Sequence, residues 1–445
     1  MFQTLRNAWK ITDLRKKIVY TLFIILIFRI GSTVSLPYID VAKMASAVKN
    51  NGDIMSMLSM LSGGGFSNAS IFALSITPYI NASIIIQLLT VAIKPLERLA
   101  KEGEAGRKKL AQITRYTTVI LGLMLGIAYF LMIKNKYQAL VSEVQSGFSF
   151  WFAAIVIVLC FTAGSALMMW LGEQVNERGI GNGISILLFA GIISRIPSAA
   201  VYLWNIFYEG IKNLSGGAGL KYVILVPVVL VLFLVIIAFI VVITDAERRI
   251  PVQYAKRVVG RKMYGGQNTY IPIKVNMSGV MPIILAVSMV SVPSVIFSFT
   301  GAPAGKTFWG KIALFIYTIF SSTHPVYAIL YFLLIIGFAF FYITIQYNPL
   351  EMSNNLRKNS GAIPGYRPGK PTVDYIKRVL NKVTLIGALC LGVIATFPII
   401  FSTISGIHGL ALGGTSIMIV VGVALETTQQ VESQMMMRHY KGFLE

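Results

Sequence analysis

The stretch SGGGFSNAS (62–70) runs directly into IFALSITPYINASIIIQLLT (71–90). The second piece is apolar enough for a bilayer core. The first is glycine, serine and asparagine, and Pro78 stands inside the apolar run. Proline lacks the N–H that a helix interior needs. A helix running from there to about Val91 covers roughly 21 Å, short of the ~30 Å hydrocarbon core. Irregular backbone at membrane depth is tolerated only where it is buried in protein or lines a water-filled cavity, and three glycines supply conformational freedom. Two readings follow: a short, movable segment folded into an outward-facing cavity, or an ordinary external loop followed by a kinked helix.

The surrounding chain fixes the class. Of 445 residues 56% are hydrophobic and 13% charged, too few charges to cover a soluble protein of this length. Ten stretches are apolar for about twenty residues: 18–36, 71–92, 116–133, 151–171, 184–204, 222–244, 276–299, 325–346, 383–402 and 411–429. The basic start and first apolar run read as an uncleaved first span, because the run is full length and lacks a small-residue cleavage site. Cys160 and Cys390 fall inside spans and read as small apolar packing.

Charge sets the orientation. With a cytoplasmic N-terminus, 29 of the 39 Lys and Arg fall in inner segments and 8 in outer ones, with Arg29 and Arg195 inside spans. The positive-inside rule therefore predicts both termini in the cytoplasm. Two inner segments are long and basic. Residues 245–275 alternate Ile250, Val252 and Tyr254 and then reach Gly265 and Gly266, which predicts a projecting hairpin turning at those glycines. Residues 346–382 are rich in Pro, Gly and Arg. In a chain whose net charge is +22, these basic loops suit anionic lipid as well as a large acidic partner such as nucleic acid.

Ten spans divide into five and five around the outer loop 205–221, which permits an inverted-repeat architecture with a pathway between the halves. No Asp or Glu lies deep in a span, and Glu426 is near a cytoplasmic end. Coupled transporters commonly carry such carboxylates. His324, His408 and His439 lie outside spans or at their ends, with no HExxH and no Ser/His/Asp arrangement. GIGNGIS (179–185) is only superficially like a phosphate loop, since it joins two spans. The expectation is a chain with no catalytic residues, cofactor or metal. Arg29 is better read as satisfied by protein neighbours than as a substrate ligand. Ile80 and Ile84, and likewise Ile184 and Leu188, are four apart and so share a helix face. Such residues suit lipid or core, and beside a broken helix they also suit a hydrophobic constriction. A small-solute secondary transporter with an inverted repeat is the competing reading, and it needs a polar midplane site. An intramembrane enzyme needs a buried nucleophile or carboxylate pair.

Seven segments carry a resemblance across nearly the whole chain: PYINASIIIQLLT, KEGEAGRKK, WLGEQVNERGIGNGISI, RRIPVQYAKR, IPIKVNMSGVMPII, PGYRPGKPT and GGTSIMIVVGVALET. The chain resembles the SecY family of bacterial protein translocase subunits. The resemblance implies an all-α membrane protein of ten helices in two pseudo-symmetric inverted halves, 1–212 and 213–445, clamped by SecE with SecG peripheral. It implies a channel for unfolded polypeptide in the bacterial cytoplasmic membrane. Its pore ring carries over to Ile80, Ile84, Ile184, Leu188, Ile284 and Ile419, where Leu188 replaces an expected isoleucine and loses the stiffness of β-branching. Its plug, a short helix, carries over to 57–70, including Ser62, Gly63, Gly64, Gly65, Phe66, Ser67 and Asn68, held by little apolar surface. A lateral gate for signal sequences and membrane segments lies between spans 2 and 3 and spans 7 and 8, with Gln87 helping to close it or bonded to backbone. The basic loops match those that bind the motor SecA and the ribosome, through Arg248, Arg249, Lys256, Arg257, Arg357 and Arg367. Ribosomal RNA would meet them mainly as phosphate.

Overall fold

The computed structural model describes the chain except residues 1–5, 7, 51–58, 60–61, 136, 142–146, 213–217, 255–256, 260–261, 265–267, 301–307, 321–323, 406–412 and 442–445. Each of the ten apolar stretches carries a helix. Among the described residues, six are long and apolar enough to cross a membrane, or seven if one bent pair counts as a single span.

Helix α1 (Thr12–Thr33) leads to the short helix α2 (Val41–Asn50). Residues 62–69 and 71–76 are turns, and α3 (Thr77–Ala92) follows. Pro78 therefore begins the helix instead of kinking it. At the first turn its missing N–H costs nothing and its fixed φ suits helix entry. After Ala92 the chain bends by 102° into α4 (Lys94–Lys101). Long helices α5 (Glu104–Asn135) and α6 (Phe148–Arg178) follow. The glycine-rich link after α6 is a helix cap: Asn182 Oδ1 accepts the Ile184 N–H at 3.1 Å to start α7 (Gly183–Ile193). The fifth span continues as α8 (Ile196–Lys212), broken at Ser194 and Arg195. Then come α9 (Ala218–Asp245), α10 (Met281–Thr300), α11 (Phe308–Ile319), α12 (Pro325–Gln346), α13 (Pro349–Lys358), α14 (Lys370–Ser405) and α15 (Gly413–Lys441).

The two basic loops form one unit. Strand β1 (Glu247–Tyr254) pairs antiparallel with β4 (Asn268–Lys274), Ile250 facing Ile271, and its far end pairs with β5 (Gly361–Ala362) from the other loop. Ile250 and Val252, each 1% exposed, share a core with Ile273, Leu356, Ile363 and Ile376. The alternation is as expected; Gly265 and Gly266, the expected turn residues, lie outside the described residues. β2 (Arg257–Val259) pairs antiparallel with β3 (Lys262–Tyr264), Val259 opposite Lys262.

One large apolar cluster joins α1, α6, α7, α9, α10, α12, α14 and α15. A second, on the side of the 62–76 turns, is built from Phe66, Ala69, Tyr129, Phe130, Ile133, Ile157 and Phe161.

Candidate functional site

The six residues assigned to a ring come from four helices and meet. Ile80 and Ile84 on α3, Ile184 on α7 and Ile284 on α10 line one crevice of about 30 Å³. Leu188, Ile284 and Ile419 line a second cavity of about 240 Å³, so Ile284 borders both. Leu188 is 3% and Ile419 5% exposed in the large cluster, with Ile80, Ile184 and Ile284 packed against it. A crevice of that size has room for only a few waters, so no polypeptide passes in this conformation. Its isoleucines, Met281 and Leu285 make the lining mostly apolar beside Ser83, Gln87, Asn182 and Ser185, and so small a space disfavours ions.

The wider cavity lies on the side of the basic unit. Its rim carries Lys274 at the end of β4, Asn276, Glu426 and Gln429. Lys274 Nζ donates to Gln429 Oε1 at 2.5 Å, and Gln429 Nε2 donates to Asp245 Oδ1 at 3.2 Å, tying the root of the hairpin to α15.

The glycine stretch sits beyond the other side of the ring. On α7, Ile184, Leu188 and Gly191 fall on one face, and Arg195 just past the helix end continues the line. A Cβ built on Gly63 would stand 3.2 Å from Gly191 Cα, and one on Gly64 2.6 Å from Arg195 Nη2. Gly191 is three residues from Leu188, about 4.5 Å along the helix. Gly63 and Gly64 also have φ of +63° and +95°, which side chains rarely adopt. Serine, glycine and a thin backbone are thus what this place accepts.

The segment is held more firmly than its composition suggests. Ser62, Gly63, Gly64, Gly65 and Phe66 are buried, with Ser67 and Asn68 partly so. Phe66, 5% exposed, stacks on Tyr129 with ring centroids 4.5 Å apart, and Tyr129 lies 4.9 Å from Phe161. Burying a phenylalanine contributes roughly 1.5–3 kcal/mol, so the expectation of little apolar anchorage is corrected. The Tyr129 hydroxyl donates to the Phe66 carbonyl at 2.5 Å, and Ser62 Oγ accepts the Phe66 N–H at 2.9 Å. Arg29 Nη1 donates to the Gly63 carbonyl at 3.0 Å, so this intramembrane cation is satisfied by protein as expected. Arg195 Nη2 donates to Ser59 Oγ at 2.8 Å. Within 57–70, residues 62–69 are a series of turns, whereas Ser59 is helical and its neighbours lie outside the described residues. Tyr129 and Phe161 went unremarked in the sequence because both sit within long apolar runs.

Gln87 lies in the seam where Ser83 and Ile84 of α3 face Met281 and Leu285 of α10. It is exposed, and its amide makes no hydrogen bond among the described residues. It lines the seam without latching it.

Arg248, Arg249, Arg357 and Arg367 are all exposed on the single unit formed by the two basic loops. Arg249 Nε pairs with Glu247 at 2.6 Å and its guanidinium lies 4.7 Å over the Tyr270 ring. The hydrogen bond to Glu247, with Tyr270 adding to it, raises its already high pKa. Arg257 belongs to β2, and Lys256 lies outside the described residues.

The fold and site define a polytopic membrane protein in which apolar side chains from four helices meet around a narrow crevice, beside a buried glycine turn. The SecY family model matches residues 70–428. The protein translocase subunit SecY of Streptomyces galbus is 43% identical over 453 aligned positions, covering all of both chains. Two solved structures share the fold, each aligned over 94% of this chain and 92% of the other. One is a SecY protein whose plug domain stabilises the closed state of the translocation channel, at TM-score 0.66 and 18% identity. The other is Sec61 in a canine ribosome–channel complex, at TM-score 0.63 and 17% identity. This chain belongs to the SecY family.

Proposed function

We propose that the chain is the protein-conducting channel of a bacterial cytoplasmic-membrane translocase. An unfolded secretory polypeptide enters from the side of the basic unit, displaces the segment 57–70 as a plug, and passes the ring of Ile80, Ile84, Ile184, Leu188, Ile284 and Ile419. Residues 1–212 and 213–445 act as two halves, and the seam lined by Gln87 parts to release signal sequences and membrane segments into lipid. Both termini face the cytoplasm. SecE and SecG complete the complex. SecA and the ribosome dock on the cytoplasmic unit through Arg248, Arg249, Lys256, Arg257, Arg357 and Arg367.

The observation that supports this most is the closed apolar ring with the glycine turn seated against its outer side. Branched side chains make no specific contacts, so the ring suits a passenger whose chemistry varies along its length, and dewetting resists ions when it is empty. The direct test reconstitutes the chain with SecE and SecG in liposomes and adds SecA, ATP and an unfolded precursor. ATP-dependent protection of the precursor from external protease is expected. Absence of protection in complexes that still bind SecA would overturn the reading.

A further inference from the structure

We propose that Arg29 and Arg195 are positioning residues that clasp the plug in the closed channel; the inference rests on the plug reading above. The two guanidiniums come from different spans and reach the same corner of one segment. Arg29, on α1, donates to the Gly63 carbonyl at 3.0 Å and lies 3.5 Å from Ser32 Oγ. Arg195, at the break between α7 and α8, donates to Ser59 Oγ at 2.8 Å, and the same Ser59 oxygen is 2.5 Å from Ser67 Oγ. Arg195 thus acts on the first limb of the turn and, through Ser59, on the second.

Position makes this more than local packing. Intramembrane cations are costly and persist where they have a task. Arg195 lies on the line of Ile184, Leu188 and Gly191, so one helix carries two ring residues, the plug's seat and one prong of the clasp. A movement of α7 that widens the ring withdraws Arg195 from Ser59 in the same step. Ring dilation thus removes the Arg195 prong, leaving the Arg29 bond from α1 as the remaining hold on the plug. Hydrogen bonds to charged donors are the strong ones, yet two of them are few enough to break when a chain enters.

The test is resting ion leak of the complete reconstituted complex without precursor, read as a double-mutant cycle. Removing one charged hydrogen bond shifts the closed–open balance by roughly tenfold or more, so Arg195→Gln and Ser59→Ala are each expected to raise leak by about that factor. Because they break the same contact, the double variant should leak no more than the worse single one. Arg195→Lys, which keeps a donor, should recover part of the seal. Multiplying effects in the double variant would overturn the pairing. If Arg195→Gln does not assemble, Ser59→Ala alone decides, and unchanged leak there would overturn the clasp. Deleting residues 62–68 separates the two levels. Raised leak on deletion with silent Arg195→Gln and Ser59→Ala overturns the clasp and keeps the plug. Unchanged leak on deletion overturns the plug reading itself.

Discussion

Ile250→Ala tests whether the two basic loops act as one body. Ile250 is 1% exposed and its side chain shares a core with Leu356, Ile363 and Ile376 from the other loop. Isoleucine to alanine at such a site typically costs 2–5 kcal/mol, through lost transfer energy and the cavity left behind. Taking about 3 kcal/mol, local opening becomes roughly 150-fold more frequent. The unit opens as one where its parts share a core. Hydrogen exchange on the detergent-solubilised complex should therefore accelerate in 247–274 and also in 361–380, although no residue of the second segment has been changed. Ribosome binding should weaken with it, because arginines on both loops lose their relative placement. Faster exchange confined to the hairpin, with 361–380 unaffected, would refute the shared core and restore two independent arms.

Other expectations follow from single contacts. Ile419→Asn places an amide at the ring where Ile419 is 5% exposed; an unpartnered amide costs about 1–3 kcal/mol, so leak should rise roughly 5- to 150-fold, and unchanged leak would count against the ring. Tyr331 is 1% exposed and its hydroxyl has no partner among the described residues; Tyr331→Phe should be neutral or stabilising by about 1 kcal/mol in thermal unfolding, and a clear loss would show that the hydroxyl has a role. Asp40 caps α2 by accepting the Ala42 and Lys43 N–H groups at 3.1 and 3.2 Å. The Lys43 backbone bond foremost, with its charge adding, holds the carboxyl below the ordinary carboxylate value. A depressed carboxylate contributes stability above its unfolded pKa and loses it as pH falls through the folded one. Exchange of the first-turn amides of α2 should rise only on acidification below the usual carboxylate range, and a rise near neutrality would refute the cap.

Much of this architecture is legible in composition and period. Apolar runs of bilayer length locate the helices because no water in lipid can satisfy an exposed backbone. Ile80 with Ile84 and Ile184 with Leu188 declare a shared face through helical spacing, and the structure brings those faces together. What stayed hidden depends on partners far away in the chain. β5 is two residues long and carries no periodicity, so its pairing with Gln253 and Tyr254 leaves no local trace. Pro78 reads equally as a kink or a start, and the turns before it decide. Arg29 and Arg195 stand out as intramembrane cations, but their common target emerges only when α1 and α7 are side by side.

The central claim is that a polypeptide passes through the ring. The most direct measurement places a photo-crosslinking residue at Ile84, in membranes containing SecE and SecG, and stalls a secretory precursor partway through. The account expects a crosslink to the mature region of the precursor that depends on its signal sequence. Verified stalled precursors that never label Ile84, while probes on the cytoplasmic unit do label them, would contradict it.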